Sequence, residues 1–225
     1  MVLELVAVTD MLVGIDEAGR GCVFGPLVIA AVADSSTSKL FLLGLKDSKL
    51  LSPSKRKSLF QEIKNTSIIE YVIIPAKKLN TLMNKMSLNQ IEFNYMVQVL
   101  KKINYNNKIE RVYIDCPENN TKKFSYEIRR KSGTEAEIIA EHKADSIYPI
   151  VSAASIIAKV IRDEEIEKIK QELGFDFNSG YSSDEITQKF LKENYKDPKV
   201  LQYVRTKWST YTRLLEKTKQ TKLEF

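Results

Sequence analysis

The sequence predicts an α/β fold, in which helices flank a sheet, followed by a helical C-terminal region. Two apolar segments, 11–15 and 109–114, each run directly into an acidic residue, as strands do at the ligand-binding edge of an α/β sheet. Segments with helical periodicity alternate with the strand-like ones. The composition changes after residue 174, so we expect a first domain over 1–174 and a helical region over 175–225.

Five segments have the composition of strands, in the order 11–15, 23–33, 67–74, 109–115 and 136–140. The second is almost entirely apolar over 28–33, which predicts a strand buried on both faces. A parallel pairing of the first strand with the fourth would place Asp115 beside Asp16, because both acids stand at the carboxyl ends of their strands.

Helices are predicted from capping residues and from apolar periodicity. Ser52 followed by Pro53 is a typical helix start, and Ser87 with Gln90 has the spacing of a capping box. Small and apolar residues recur at helical spacing through a long segment ending near Leu173, which predicts a helix that packs directly on the sheet. Further helices are predicted over 76–83, 121–131 and 184–195.

Composition and charge limit the classes of function. The chain has 225 residues, 43% of them hydrophobic, and a formal net charge of +6. This charge fits a polyanionic partner such as nucleic acid, although many soluble proteins are basic for other reasons. Aromatic residues alternate with cationic ones over 200–215, which suits a nucleic-acid surface. A small helical core with a basic exterior would use the same residues.

Histidine and cysteine are too few for the usual zinc sites. The chain has only His142, Cys22 and Cys116, without a CxxC pair, and no disulfide framework is implied. No apolar run approaches the length of a membrane span, and the N-terminus lacks a signal-peptide pattern. We therefore expect a soluble, cytoplasmic protein with no membrane partner, and a monomer.

Two adjacent carboxylates, Asp16 and Glu17, follow the first strand and precede the turn Gly19-Arg20-Gly21. Glycine adopts positive φ freely and lets a ligand approach the backbone. Hard oxygen ligands beside a cationic arginine suggest a metal and a phosphate in one place. The alternative is a β-hairpin with solvated charges at its tip.

Two further acids, Asp115 and Asp145, also stand at the boundaries of predicted elements. If all four carboxylates cluster without histidine or cysteine, they favour Mg²⁺ or Mn²⁺. Two such ions, roughly 3.5–4 Å apart, activate water and stabilise the leaving oxygen of an in-line displacement. The chemistry that this pattern indicates is phosphodiester hydrolysis.

These motifs resemble those of the type 2 ribonucleases H, the ribonuclease HII family. The matching segments are Gly14–Gly21, Asp47-Ser48-Lys49, Tyr113-Ile114-Asp115, Lys143-Ala144-Asp145 and 178–184. The last resembles the family's GSGYPSD loop, from which Asn178 and Ser182 depart. The matches follow the family's order over residues 13–184, and the single chain with a helical tail looks most like an archaeal member.

The resemblance implies a ribonuclease H-like fold, a five-stranded mixed sheet flanked by helices with a C-terminal helical appendage. It implies a metal-dependent endonuclease that cleaves RNA in RNA–DNA hybrids and nicks duplex DNA 5′ of an embedded ribonucleotide. The products would carry 3′-hydroxyl and 5′-phosphate ends. The implied catalytic residues and metal ligands are Asp16, Glu17, Asp115 and Asp145, with two Mg²⁺ or Mn²⁺ ions in the substrate complex.

The same resemblance assigns substrate contacts. Gly19, Arg20 and Gly21 would read the ribose 2′-hydroxyl, largely through backbone groups, and Tyr181 would pack on the following deoxyribose. This division is physically sensible, because the 2′-hydroxyl is what distinguishes RNA from DNA. Further phosphate contacts are expected from Lys49, Ser155 and Lys159.

The C-terminal residues resemble a shortened sliding-clamp peptide, with Gln220, Leu223 and Phe225 as anchors. A frayed basic tail is the alternative.

Two other classes of function stay open at this point. Another nuclease of the same fold, such as a junction resolvase or transposase core, would use similar acids but has no need of the Gly-Arg-Gly turn. A non-catalytic nucleic-acid-binding subunit would tolerate the loss of an acid, and all four acids are present.

Overall fold

The strands form a five-stranded mixed sheet, as predicted. The structure, a computed structural model, describes residues 11–35, 40, 43, 45, 51–104 and 108–220. The strands are β1 (Met11–Ala18), β2 (Leu27–Asp34), β3 (Ile68–Ile74), β4 (Ile109–Asp115) and β5 (Glu137–Glu141). They lie in the order β3-β2-β1-β4-β5. Lys49, Leu223 and Phe225 lie outside the described residues, as does the side chain of Gln220.

The predicted parallel pairing of the first and fourth strands is confirmed. β1 and β4 run parallel with Ile15 opposite Ile114, and β4 pairs in parallel with β5. Every residue of β2 is buried, as its apolar composition predicts. That strand begins at Leu27 and not at Val23, because residues 22 and 24 instead make isolated bridges to a different part of the chain.

The described helices follow the predicted order. They are α1 (Pro53–Thr66), α2 (Ala76–Leu82), α3 (Leu88–Asn104), α4 (Thr121–Ser132), α5 (Ala144–Ile147), α6 (Pro149–Leu173), α7 (Glu185–Asn194), α8 (Pro198–Leu201) and α9 (Ser209–Gln220). Ser52 caps α1 by accepting the Lys55 N–H at 3.2 Å. The predicted capping box also forms, because Ser87 and Gln90 each accept the other's backbone N–H.

The long helix α6 packs directly against the sheet, as predicted. A Cβ added to Gly14 of β1 would lie 2.2 Å from the carbonyl oxygen of Ile150. No side chain larger than hydrogen fits there, so the backbones of β1 and α6 approach each other more closely than any other residue would allow. Ala153, Ala154 and Ile157 are fully buried on this helix.

Three polar residues of α6, Ser152, Ser155 and Arg162, are buried. Ser152 is 0% and Arg162 2% exposed, although their spacing is that of an ordinary polar face. The Ser152 hydroxyl donates to the carbonyl oxygen of Leu45. Buried polar groups need such partners, so these side chains anchor neighbouring segments.

The C-terminal segment packs with Val23 and Phe24 in a small apolar core. The rings of Phe24 and Phe177 stack with centroids 4.8 Å apart, and Phe190 packs against both. Val204 and Tyr211 are buried in the same cluster, with Trp208 packed beside them. For these residues the core explanation of the aromatic pattern therefore holds. Residues 202–208 separate α8 from α9, so the helical region is not continuous.

The chain divides into two compact units whose segments alternate in sequence. The first unit contains Met1–Glu17, Ile29–Val72 and Glu92–Ala158. The second contains Ala18–Val28, Ile73–Ile91 and Lys159–Phe225. The four acids belong to the first unit, and the Gly-Arg-Gly turn and Tyr181 to the second. The expected division of the chain at residue 174 stays a prediction.

Over the part of the chain that the structure describes, no helix is both long enough and apolar enough to cross a membrane.

Candidate active site

Three of the four predicted acids come together in the first unit. Asp16 lies near the end of β1 and Asp115 ends β4, and the parallel register places the two acids side by side. Asp145 lies just ahead of the long helix α6, as predicted, and the structure places it in the separate short helix α5 that follows β5. One carboxylate oxygen from each of the three acids lies within 4.8 Å of the others.

Local hydrogen bonds orient these carboxylates. The Glu17 N–H donates to Oδ1 of Asp16 at 2.7 Å, and the Ser155 side chain also hydrogen-bonds to this carboxyl group. Asp115 accepts the Ala144 N–H through Oδ1 at 3.2 Å. Lys143 adopts a left-handed conformation with φ of 58°, which ends β5 and starts α5. The strained backbone at Lys143 therefore immediately precedes Ala144, whose N–H binds Asp115, and Asp145, which belongs to the acid cluster.

Burial makes Asp16 an unfavourable anion in this arrangement. The carboxylate is 4% exposed, and its pKa is raised well above the usual value, first by burial and then by the negative charges of Glu17 and Asp115. A bound divalent cation would relieve both effects. The donor set is oxygen only, which is what Mg²⁺ and Mn²⁺ prefer, so the residues fit these ions.

Glu17 is close to the acid cluster but is not one of its three members. It lies near enough for its charge to raise the pKa of Asp16. Its role as a metal ligand stays a prediction.

The Gly-Arg-Gly turn in the second unit has a conformation that requires glycine. Gly19 has φ of 91°, and a Cβ there would lie 2.8 Å from the carbonyl oxygen of Pro26. The turn closes with the Cys22 N–H donating to the Gly19 carbonyl at 3.2 Å. The Arg20 guanidinium donates to Oδ1 of Asn89 just after the start of α3. The side chain of Arg20 is therefore held by α3, and of the two glycines of the turn Gly21 is exposed and Gly19 is buried.

The loop over residues 177–184 lies beside this turn, also within the second unit. Gly180 accepts the N–H groups of Val23 and Phe24 at 2.9 and 3.1 Å. Ser182 donates its N–H to the Gly21 carbonyl at 3.4 Å. The Tyr181 ring lies 3.6 Å from the position that a Cβ on Gly21 would occupy. The predicted ribose-reading turn and the predicted junction-sensing tyrosine are thus neighbours.

Asp184 organises the rest of this loop. Its carboxylate accepts hydrogen bonds from the side chains of Asn178 and Ser179 at 2.7 and 2.6 Å. It also caps α7 by accepting the Thr187 N–H at 3.0 Å. Asn178 has φ of 64°, a left-handed conformation that asparagine tolerates better than most residues.

Tyr181 is oriented by cationic side chains from α6. The Arg162 guanidinium lies 4.6 Å from the centre of the Tyr181 ring, and the Lys159 ammonium lies 5.7 Å from it. Burial, followed by interaction with Cys22, raises the pKa of Tyr181 to about 12. The phenol is therefore protonated at physiological pH and presents a neutral ring.

Cys22 and Cys116 are both free and buried. The Cys22 sulfur accepts a hydrogen bond from Nη2 of Arg162 at 2.8 Å. Even so, burial raises the pKa of the Cys22 thiol.

Sequence reasoning did not single out Asn89, Arg162 or Arg205 as site residues. Arg162 has the helical spacing of an ordinary polar face, and Arg205 lies among the alternating aromatic and cationic residues of 200–215. A local pattern does not distinguish a buried arginine from a solvated one. Each contacts the turn or its tyrosine through the tertiary structure alone.

Comparison with known proteins agrees with this arrangement. The family model described as Ribonuclease HII matches residues 13–211. A ribonuclease HII of Methanocaldococcus jannaschii is 44% identical over 95% of this chain and 98% of its own length. The ribonuclease HII of Pyrococcus abyssi is 44% identical over 93% of both chains.

Solved structures give the same result. The chain is similar to the RNase HII in a PCNA:RNase HII complex from Archaeoglobus fulgidus, with a TM-score of 0.82 and 41% identity over 88% of this chain and 95% of that one. It is also similar to the ribonuclease H2 of Pyrococcus horikoshii, with a TM-score of 0.82 and 39% identity over 93% and 99%. The family model covers the acid cluster, the glycine turn and the tyrosine loop together, and the chain belongs to the ribonuclease HII family.

Proposed function

We propose that this protein nicks duplex DNA on the 5′ side of an embedded ribonucleotide, in addition to the cleavage of RNA in RNA–DNA hybrids that its family membership supports. The products carry 3′-hydroxyl and 5′-phosphate ends. The observation that carries the proposal is the Gly19–Gly21 turn with Tyr181 against it. Only two residues separate Asp16 from that turn in the chain.

The acids are the proposed metal ligands. Asp16, Asp115 and Asp145 would hold a divalent cation, and Glu17 is the proposed fourth ligand. When bound, a pair of Mg²⁺ or Mn²⁺ ions would supply an activated water and stabilise the charge that develops on the leaving oxygen. Ser155 donates to the Asp16 carboxyl group and so keeps its oxygens in one orientation.

The second unit is proposed to recognise the sugar. In the turn, Gly21 is exposed whereas Gly19 is buried, and peptide groups of the turn would donate to or accept from a 2′-hydroxyl. Tyr181 offers a neutral aromatic face to the next sugar, where a 2′-hydroxyl would be sterically crowded. Lys159 and Ser155 are proposed contacts to the phosphates, as is Lys49, which lies outside the described residues.

A sliding-clamp interaction is proposed for the C-terminal residues. A relative 41% identical to this chain is known in a PCNA:RNase HII complex. Helix α9 leads directly to Gln220, the first proposed anchor, and Leu223 and Phe225 follow. The monomeric state expected from sequence stays a prediction.

The nicking activity is tested with a DNA duplex that carries one ribonucleotide, incubated with Mg²⁺ or Mn²⁺. We expect a single nick 5′ of the ribonucleotide, and Asp16→Asn should abolish it. Duplex binding should stay within about tenfold, because phosphate contacts dominate affinity. Glu127→Gln is the matched control, since it removes a carboxylate on α4 that pairs with the nearby Arg130. No nick by the folded wild-type protein would refute the proposal.

The acid cluster also predicts a pH dependence of stability in EDTA. The raised pKa of Asp16 means that the folded state binds its proton more tightly than the unfolded chain does. The free energy of unfolding therefore falls as pH rises from 3.8 through the raised value, where the buried carboxyl group loses its proton. The melting temperature of Asp16→Asn should therefore rise relative to that of the wild type as pH increases, with the smallest difference near pH 4. Added Mg²⁺ should stabilise the wild type more. A difference in melting temperature that does not rise with pH would contradict this.

The role of Tyr181 is tested by two substitutions. Tyr181→Ala should lower kcat/KM for a single-ribonucleotide duplex by about tenfold or more, the value of one lost stacking contact. It should affect an all-RNA hybrid less. Tyr181→Phe keeps the ring over Arg162 and should behave like wild type. An unchanged ratio between the two substrates in Tyr181→Ala would show that the tyrosine does not sense the junction.

The clamp interaction is tested by truncation after Lys219. Calorimetry with an archaeal sliding clamp should show binding by the full chain and loss of binding by the truncated one. Nicking by the free truncated protein should be unchanged, because the truncation removes only the last residue of α9 and the five residues that follow it. Equal affinity of the two proteins would favour the frayed-tail alternative.

A further inference from the structure

Arg205 has an unusual environment for an arginine. Its side chain is fully buried in the second unit and is the largest of the fully buried side chains. Within the described residues, its guanidinium donates hydrogen bonds to carbonyl oxygens and not to a carboxylate. Nε donates to the Gly25 carbonyl at 3.0 Å, and Nη1 donates to the Arg20 carbonyl at 3.4 Å. Both acceptors belong to the segment that begins with the glycine turn.

The backbone around Arg205 reinforces these contacts. The Arg205 N–H donates to the Val23 carbonyl at 2.8 Å, and the Gly25 N–H donates to the Tyr203 carbonyl at 2.9 Å. Residue 205 therefore binds three carbonyl groups of the segment 20–25, two of them through its guanidinium. The planar fork of an arginine is suited to this, because its donors have fixed relative directions.

The burial of this cation is unfavourable by itself. Desolvation lowers the pKa of Arg205 to about 10. The Trp208 ring, 4.8 Å from the guanidinium carbon, offers only partial compensation. Within the described structure, Nη2 is buried and has no hydrogen-bond partner. An apolar side chain of similar size would fill the space at lower cost, but would leave the carbonyl groups of Arg20 and Gly25 without these hydrogen bonds.

The unpartnered Nη2 points to the first glycine of the turn. It lies 3.5 Å from the position that a Cβ on Gly19 would occupy, and Cγ of Arg162 lies 3.4 Å from that position. Two buried arginines, Arg162 and Arg205, therefore pack against Gly19. Together with the Pro26 carbonyl they restrict the space around Gly19, whose φ is 91°.

We propose that Arg205 is a positioning residue for ribose recognition, whose guanidinium fixes the carbonyl groups of the Gly19–Gly25 segment so that the turn's peptide groups face the substrate sugar. This inference rests on the proposed recognition of ribose by that turn. Arg205 itself does not contact the substrate.

The test compares Arg205→Lys with Asn80→Ala. Lysine keeps the positive charge but lacks the planar guanidinium, so it can bind one of the Arg20 and Gly25 carbonyl groups but not both. Asn80 anchors the segment that contains Arg205, by donating to the Val204 carbonyl and accepting the Thr206 N–H. Asn80→Ala therefore loosens the segment around Arg205 without removing a contact to the turn.

Two quantities are measured for each variant, after thermal melts have confirmed folding. The first is amide hydrogen exchange over residues 18–26. The second is ribose discrimination, the KM for a one-ribonucleotide duplex relative to the inhibition constant of the matching all-DNA duplex. We expect Arg205→Lys to exchange faster over 18–26 and to lose discrimination by about tenfold, the factor for one charge-assisted hydrogen bond. Asn80→Ala should retain discrimination.

Equal loss of discrimination in the two variants would reduce Arg205 to a general stabilising residue and overturn the proposal. Unchanged exchange over 18–26 in Arg205→Lys would overturn it as well. If Arg205→Lys does not fold, Trp208→Leu replaces it, since that change leaves the donors but removes the ring that orients them. Failure of the wild type to nick the substrate would instead refute the proposed function, and the exchange measurement would still decide whether Arg205 holds the turn.

Discussion

The parallel pairing of β1 with β4 is the constraint on which the candidate site depends. It places the carboxylates of Asp16 and Asp115 side by side near the carboxyl ends of the two strands. The fold must therefore accept repulsion between two carboxylates, one of which, Asp16, is buried. A carboxylate oxygen of Asp145 lies within 4.8 Å of one on each of these acids. A bound divalent cation would relieve both the repulsion and the cost of burying the Asp16 charge.

A different kind of interaction holds the glycine turn. Within the turn, the Gly19 carbonyl accepts the Cys22 N–H, the Arg20 carbonyl accepts Nη1 of Arg205 and the Gly21 carbonyl accepts the Ser182 N–H. The N–H and Nε of Arg205 hold the carbonyl groups of Val23 and Gly25, which follow the turn. The acid cluster of the first unit is therefore under electrostatic strain, whereas the turn of the second unit is held by hydrogen bonds to its carbonyl groups.

Much of this could be predicted from the sequence, because the relevant signals are local. The strand ends at Asp16 and Asp115, the capping box at Ser87 and the turn at Gly19 depend on residues close together in the chain. The short helix that carries Asp145 could not be predicted, because it depends on the left-handed conformation of Lys143. The burial of Arg205 also could not, because its partners lie some 180 residues away in sequence. Polar contacts between residues far apart in the chain produce no periodic pattern in the sequence from which they could be predicted.

The loop of Tyr181 departs from its family pattern at two residues, and both departures change how the loop is stiffened. Where the pattern has proline, Ser182 has an N–H, which donates to the Gly21 carbonyl. Proline would restrict the chain before folding as well as after it, whereas this hydrogen bond exists only once the two segments have met. Asn178 likewise replaces a flexible residue with one tied to Asp184. The loop is therefore ordered more by hydrogen bonds formed in the native state than by reduced entropy of the unfolded state. It should become mobile at a lower temperature than the corresponding loop of a proline-containing relative.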